Sequence, residues 1–184
     1  MDAFLVSMAT VAVAEIGDKT QLLAMLLAAR FKATIPIVLG IAAATVFNHS
    51  LAALVGVAAG DFLPGAAMRW LLVLSFIGMG IWCLLPDRLE RSPGFMEKSS
   101  AFVATLVSFF LIEMGDKTQL ATVALAANYG SVLAVAAGTT LGMLIADVPA
   151  VYIGNFAMEK VPLRLARSLA AVLFFGLAAA TLIF

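Results

Sequence analysis

A chain of 184 residues that is 64% hydrophobic and only 12% charged cannot cover itself with polar surface, because a soluble domain carries about one quarter charged residues. Its formal net charge is zero, so no basic field points to nucleic acid, and the single Cys83 excludes an intramolecular disulfide and any multi-cysteine metal site. The opening MDAFLVSMAT has no cationic n-region and does not read as a cleaved signal peptide.

Along the chain, six apolar segments are long enough to span a bilayer, at roughly 3–29, 34–59, 66–86, 100–127, 131–158 and 163–184. In lipid, backbone polar groups must be satisfied within the spanning structure, and unalternating apolar runs exclude a β-barrel. The expected fold class is therefore an all-α integral membrane protein with six transmembrane helices, each measured against a length of about 20 residues.

The first and fourth segments carry the same charged string. AEIGDKTQL at 14–22 returns as IEMGDKTQL at 112–120. At the same 98-residue offset Phe4 matches Phe102, Leu27-Ala28-Ala29 matches Leu125-Ala126-Ala127, Gly40 matches Gly138, Gly56 matches Gly154, Arg69 matches Arg167, and Gly78 matches Gly176. This is a duplicated three-helix unit, with halves at 1–92 and 93–184. An odd number of spans sends the second unit into the membrane from the opposite side, so the halves are expected as inverted repeats. Arg30, Lys32, Arg88, Arg91, Lys98, Lys160, Arg164 and Arg167 lie on one side and Arg69 alone on the other. The positive-inside rule then puts both termini outside the cytoplasm.

An unbroken helix would put Glu15, Asp18, Lys19 and Leu22 on one face, and likewise Glu113, Asp116, Lys117 and Leu120. Gly17 and Gly115 weaken each helix there. A break would instead bring carbonyls and hydroxyls to membrane depth, where transporters place ion sites. The two strings supply four carboxylates and two ammonium groups, an excess of two negative charges that a divalent cation neutralises. Carboxylates, hydroxyls and carbonyls are hard donors suited to Mg²⁺, Ca²⁺ or Mn²⁺. Each isolated charge at the centre of a spanning helix costs roughly 2.5–3.5 kcal/mol, so six are a poor structural investment. The structural alternative is paired charges, or helix ends close to water. The candidate ligands are Glu15, Asp18, Thr20, Gln21, Glu113, Asp116, Thr118 and Gln119, with Lys19 and Lys117 balancing charge.

The second and fifth segments add polar positions. Asn48 and His49 lie mid-segment, and Asp147 occupies the repeat position of His49, followed by Pro149 and preceded on its own face by Thr140 and Met143. Asp147 reads as a ligand or proton carrier, with a hydrogen-bonded structural acid as its alternative. Asn48 reads as an oxygen ligand or interhelical contact, and His49 as a core histidine or proton-transfer group. Asp61, Asp87, Glu90, Glu97 and Glu159 read as solvated loop charges.

Glu15-Ile16-Gly17-Asp18-Lys19-Thr20 and Glu113-Met114-Gly115-Asp116-Lys117-Thr118 resemble the paired E-x-G-D-[KR]-[TS] motifs of a family of six-helix cation transporters. That family includes Golgi members and bacterial manganese exporters, and the resemblance covers essentially the whole chain. It implies Mn²⁺ or Ca²⁺ transport in exchange for protons, with the motif acids binding the ion, no cofactor, and lipid, cation and protons as partners. The chain lacks the N-terminal extension of eukaryotic members, which implies a bacterial plasma membrane. Two other classes remain open at this point: an exporter of another small solute or a monovalent cation, and an intramembrane aspartyl protease. The protease needs two acids that share a proton, and the adjacent lysines disfavour it. No phosphate-binding loop is present to drive an ATP pump.

Overall fold

The computed structural model describes residues 2–63, 65–85, 99–153 and 163–183. Among the described residues all regular structure is helical: α1 (Asp2–Glu15), α2 (Lys19–Phe31), α3 (Thr34–Phe62), α4 (Gly65–Leu84), α5 (Ala101–Glu113), α6 (Lys117–Tyr129), α7 (Val132–Ile153) and α8 (Leu163–Ile183). Helices α3, α4 and α7 are long and apolar enough to cross a membrane on their own. At 1.5 Å per residue, the 29 residues of α3 extend roughly 43 Å.

Of the two arrangements open for the first and fourth segments, the structure has the broken one. Each is two helices, α1–α2 and α5–α6, separated at Gly17 and Gly115. These glycines sit at φ +81° and +77°, where an L side chain is strained. Asp18 and Asp116, at φ −79° and −76°, are extended N-cap residues and not members of a helical stripe.

The breaks are also encoded by capping chemistry. Asp-Lys-Thr-Gln places an N-cap acid three residues before a glutamine, the spacing of a capping box. Gln21 Oε1 accepts from Gly17 N–H at 2.8 Å, and Gln119 Oε1 accepts from Gly115 N–H at 2.7 Å. The far ends of the half-helices match as well. The C-cap of α2 is Lys32 at φ 50°, and that of α6 is Gly130, its repeat equivalent, at φ 62°.

The broken segments each lie along an unbroken helix of the other half. A Cβ added at Gly138 would lie 2.4 Å from Phe4 O and 3.1 Å from Ser7 Cβ, and one at Gly142 would lie 2.4 Å from Met8 O. Helix α7 thus runs parallel to α1, at a separation only glycine allows. Helix α3 does the same on the second broken segment. Gly40 abuts Phe102 and Thr105, Asn48 donates to Phe110 O, and Gly56 abuts Val123 and Ala126. Gly40 against Phe102 and Gly138 against Phe4 are the same contact, shifted in both partners by the repeat offset. Thr45 and Met143, themselves repeat equivalents, touch each other.

The distribution of polarity is that of a protein in lipid. Leu39, Phe47, Leu54 and Val55 on α3, Leu71, Leu74 and Ile81 on α4, and Leu141 and Ile145 on α7 are exposed, while Glu15, Asp18, Glu113, Asp116, Lys117 and Asp147 are buried. Water-soluble proteins bury such charges only when paired and keep large apolar surfaces inside. One apolar core joins α4, α6 and α8 around Leu72, Phe76, Leu125 and Phe174; another joins α2, α3 and α5 around Leu23, Leu27, Ile41 and Phe109. Arg69 ties α4 to the end of α8 by donating to the carbonyls of Thr181 (3.0 Å) and Leu182. Asp61 is exposed. The loop charges Asp87, Arg88, Glu90, Arg91, Glu97, Lys98, Glu159 and Lys160 lie outside the described residues.

Candidate cation site

The two helix breaks meet. Lys19 of the first motif pairs with Asp116 of the second at 2.5 Å, and Lys117 of the second pairs with Asp18 of the first. The pairs are the same interaction exchanged between halves, so neither motif balances its own aspartate. They are not equally enclosed. The Lys117 side chain is 4% exposed and that of Lys19 is 22% exposed, so one pair is sealed and the other is open at its edge.

Glu15 ends α1 and Glu113 ends α5. Helix C-termini carry partial negative charge and favour cations, and here each also presents a carboxylate. Ligand oxygens of Glu15, Asp18 and Glu113, all buried, lie within 4.8 Å of one another. This separation suits three carboxylates around one cation.

The third helix of each half contributes one further group. Asp147 on α7 is fully buried and close enough to Asp18, Glu15 and Glu113 to repel them. On α3, the His49 imidazole Nε2 lies 4.0 Å from Glu113 Oε2. Among the described residues, both oxygens of Glu15 and of Asp147, Glu113 Oε1, Asp116 Oδ2, Asn48 Oδ1 and both His49 ring nitrogens have no hydrogen-bond partner. Buried polar atoms are ordinarily satisfied, and leaving so many carboxylate oxygens unmatched in one place costs far more than a structural role returns. The donor set is oxygen-rich and anionic, which is the chemistry of a divalent cation site.

The remaining predicted residues serve the breaks. Thr20 donates to Asp18 Oδ2 through its hydroxyl (3.2 Å), whereas Thr118 donates to Glu113 Oε2 (3.1 Å). Gln21 and Gln119 turn their oxygens to the glycine N–H groups, and Gln21 Nε2 also donates to Ala146 O at 2.9 Å. Asn48 is buried and donates to Phe110 O at 3.2 Å.

Sequence reasoning passed over a set of buried hydroxyls. Ser7 and Thr10 on α1 and Thr105 and Ser108 on α5 are all buried, and Ser7 Oγ and Ser108 Oγ have no partner among the described residues. The signal was present: Ser7 matches Thr105 and Thr10 matches Ser108 at the repeat offset, so hydroxyl character recurs in both copies.

Comparison with known proteins agrees with this site. The model of the family described as "Divalent cation/proton antiporter GDT1" matches residues 3–91 and 101–184. The chain belongs to the GDT1 family. It is similar over its whole length to a Vibrio cholerae protein named "Putative manganese exporter", at 48% identity over 185 residues and 92% of that protein. It is 28% identical over 199 residues to a GDT1-like protein of Synechocystis, covering 95% of this chain and 94% of the relative. It is likewise 28% identical over 210 residues to GDT1-like protein 4 of Oryza sativa subsp. indica, covering 95% of this chain and 71% of the relative. No solved structure matches. As a GDT1 member the chain is a membrane cation transporter and not an enzyme, which sets aside the protease alternative.

Proposed function

We propose that this GDT1 protein exports Mn²⁺ from the cytoplasm in exchange for protons, through one site built jointly by the two motifs. The carrying observation is the exchange of ion pairs between motifs, Lys19 with Asp116 and Lys117 with Asp18. It supports a single site in which Glu15, Asp18, Glu113 and Asp147 are ligands and the lysines hold the aspartates between transport events. Five buried carboxylates face two ammonium groups here, an excess of three negative charges if all are ionised. A site closed to water does not tolerate that excess. Either a divalent cation or protons must offset it, and because ligands must be ionised, cation binding releases protons. The protons are shared by the group and not owned by one residue. A carrier that exposes such a site to each face in turn exchanges one for the other.

The halves 1–92 and 93–184 are inverted repeats in this reading, supported by the parallel packing of α1 on α7 and of α5 on α3. The membrane is the bacterial inner membrane, and both termini lie outside the cytoplasm. A reporter fused after Phe184 is expected outside and one inserted near Ser92 inside; a cytoplasmic C-terminus overturns the inversion. For transport, proteoliposomes loaded with Mn²⁺ and a pH-sensitive dye are expected to show efflux with counter-movement of protons. Efflux without proton movement, indifferent to an imposed pH gradient, overturns exchange. Ca²⁺ as the exported ion is the second reading, favoured by the hardness of the carboxylate oxygens.

A further inference from the structure

We propose that Met143 is a specificity-determining residue that tilts this site toward transition-metal divalent cations and against Ca²⁺ and Mg²⁺. The inference rests on the transport reading above and names which of its substrates the geometry prefers. Met143 is fully buried, and its sulfur accepts a hydrogen bond from Thr45 Oγ1 at 3.2 Å. The two residues are repeat equivalents in contact, as the crossed ion pairs are contacts between equivalent motifs.

The next helical turn on each side leads to the site. Asp147 follows Met143 by four residues on α7, and His49 follows Thr45 by four residues on α3. Residues so spaced share a helix face at about 5.4 Å rise. Asp147 interacts with Asp18, Glu15 and Glu113, and His49 approaches Glu113. The thioether is thus flanked by the two groups that reach the carboxylate cluster.

A buried methionine is ordinarily apolar filler, but this one is among polar neighbours. Thr139 and Thr140 precede it on α7 and Thr45, Asn48 and His49 stand on α3, all buried. Filler at that position need not carry a sulfur, and the other half places a hydroxyl there. Thioether and imidazole are soft or borderline donors; they bind transition metals and add nothing for Ca²⁺ or Mg²⁺, which take oxygen. One sulfur a helical turn from Asp147, added to the carboxylate set, leaves the site able to bind any of these ions and biases the choice among them.

The test compares Mn²⁺, Cd²⁺ and Ca²⁺ fluxes of the full-length protein in proteoliposomes, with Cd²⁺ as the soft probe. Met143→Leu is expected to lower the Mn²⁺/Ca²⁺ ratio about tenfold, the lower range for groups that tune a metal site, and the Cd²⁺/Ca²⁺ ratio further. Met143→Cys, which restores a sulfur, is expected to recover most of both ratios. Thr45→Val, which removes the group bonded to the sulfur without touching it, is expected to leave the ratios level or raise them. Unchanged ratios in Met143→Leu, or an equal fall in Thr45→Val, overturn the inference while leaving transport intact. A wild-type protein that moves none of the three ions overturns the transport reading and this inference together.

Discussion

The two helix breaks share six of seven residues, Glu-x-Gly-Asp-Lys-Thr-Gln, and have nearly the same backbone. Their electrostatic surroundings differ. The first break has Asp147 beside Glu15 and Asp18; the second has His49 beside Glu113. Thr20 bonds to the aspartate of its motif, whereas Thr118 bonds to the glutamate. The Lys117–Asp18 pair is sealed and the Lys19–Asp116 pair is partly open. Duplication fixed a common backbone, and the third helix of each half made the two sides chemically unequal.

Four experiments break or sharpen the comparison. The largest effect is expected from the shared residues. Glu15→Gln, Glu113→Gln or Asp18→Asn alone should cut Mn²⁺ efflux by about a hundredfold or more, at or beyond the upper range for perturbing a metal site. Near-normal flux in any of them would mean that the halves work separately.

The next effect separates the sides. Asp147→Asn should reduce flux more than His49→Gln, since only the first removes a carboxylate. The double exchange His49→Asp with Asp147→His should recover part of the loss by moving the acid to the other half-site. Equal single effects and no recovery would show that the two sides are equivalent.

Stability should distinguish the ion pairs. Lys117→Met strands a buried Asp18 charge and should cost about 3 kcal/mol in unfolding free energy. Lys19→Met also strands a buried aspartate, Asp116, but at the pair open on its edge, and should cost less. Thermal unfolding in detergent reads the difference, and a larger loss at Lys19 would reverse the assignment of sealed and open sides.

The smallest effect concerns the capping glutamines. Gln21→Leu loses bonds to Gly17 N–H and Ala146 O, and Gln119→Leu loses the one to Gly115 N–H. The first should be the more destabilising by about 1 kcal/mol, the net worth of one hydrogen bond. The same detergent melts check it, with equal melting temperatures as the contrary result.

Much of this was legible in the residues. The apolar content dictated a membrane protein, because no arrangement of so few charges covers such a chain in water. The repeat and the charged motifs follow from identities at one offset, and Asp147 stands out as a carboxylate in a long apolar run. Even the breaks were written locally, in Gly17 and Gly115 and in the Asp-x-x-Gln capping spacing, since caps and positive-φ glycines act within a single turn. What the chain order could not decide was which groups meet. Lys19 stands next to Asp18 in sequence yet pairs with Asp116, and Lys117 pairs with Asp18, because each lysine, at the first position of its half-helix, reaches across to the other motif. That reach, the approach of Asp147 to Glu15 and the contact of Thr45 with Met143 depend on how closely α7 settles on α1 and α3 on α5. Those separations are set at Gly138, Gly142 and Gly40, and only the packed structure fixes them, because close packing is a property of two surfaces and not of either helix alone.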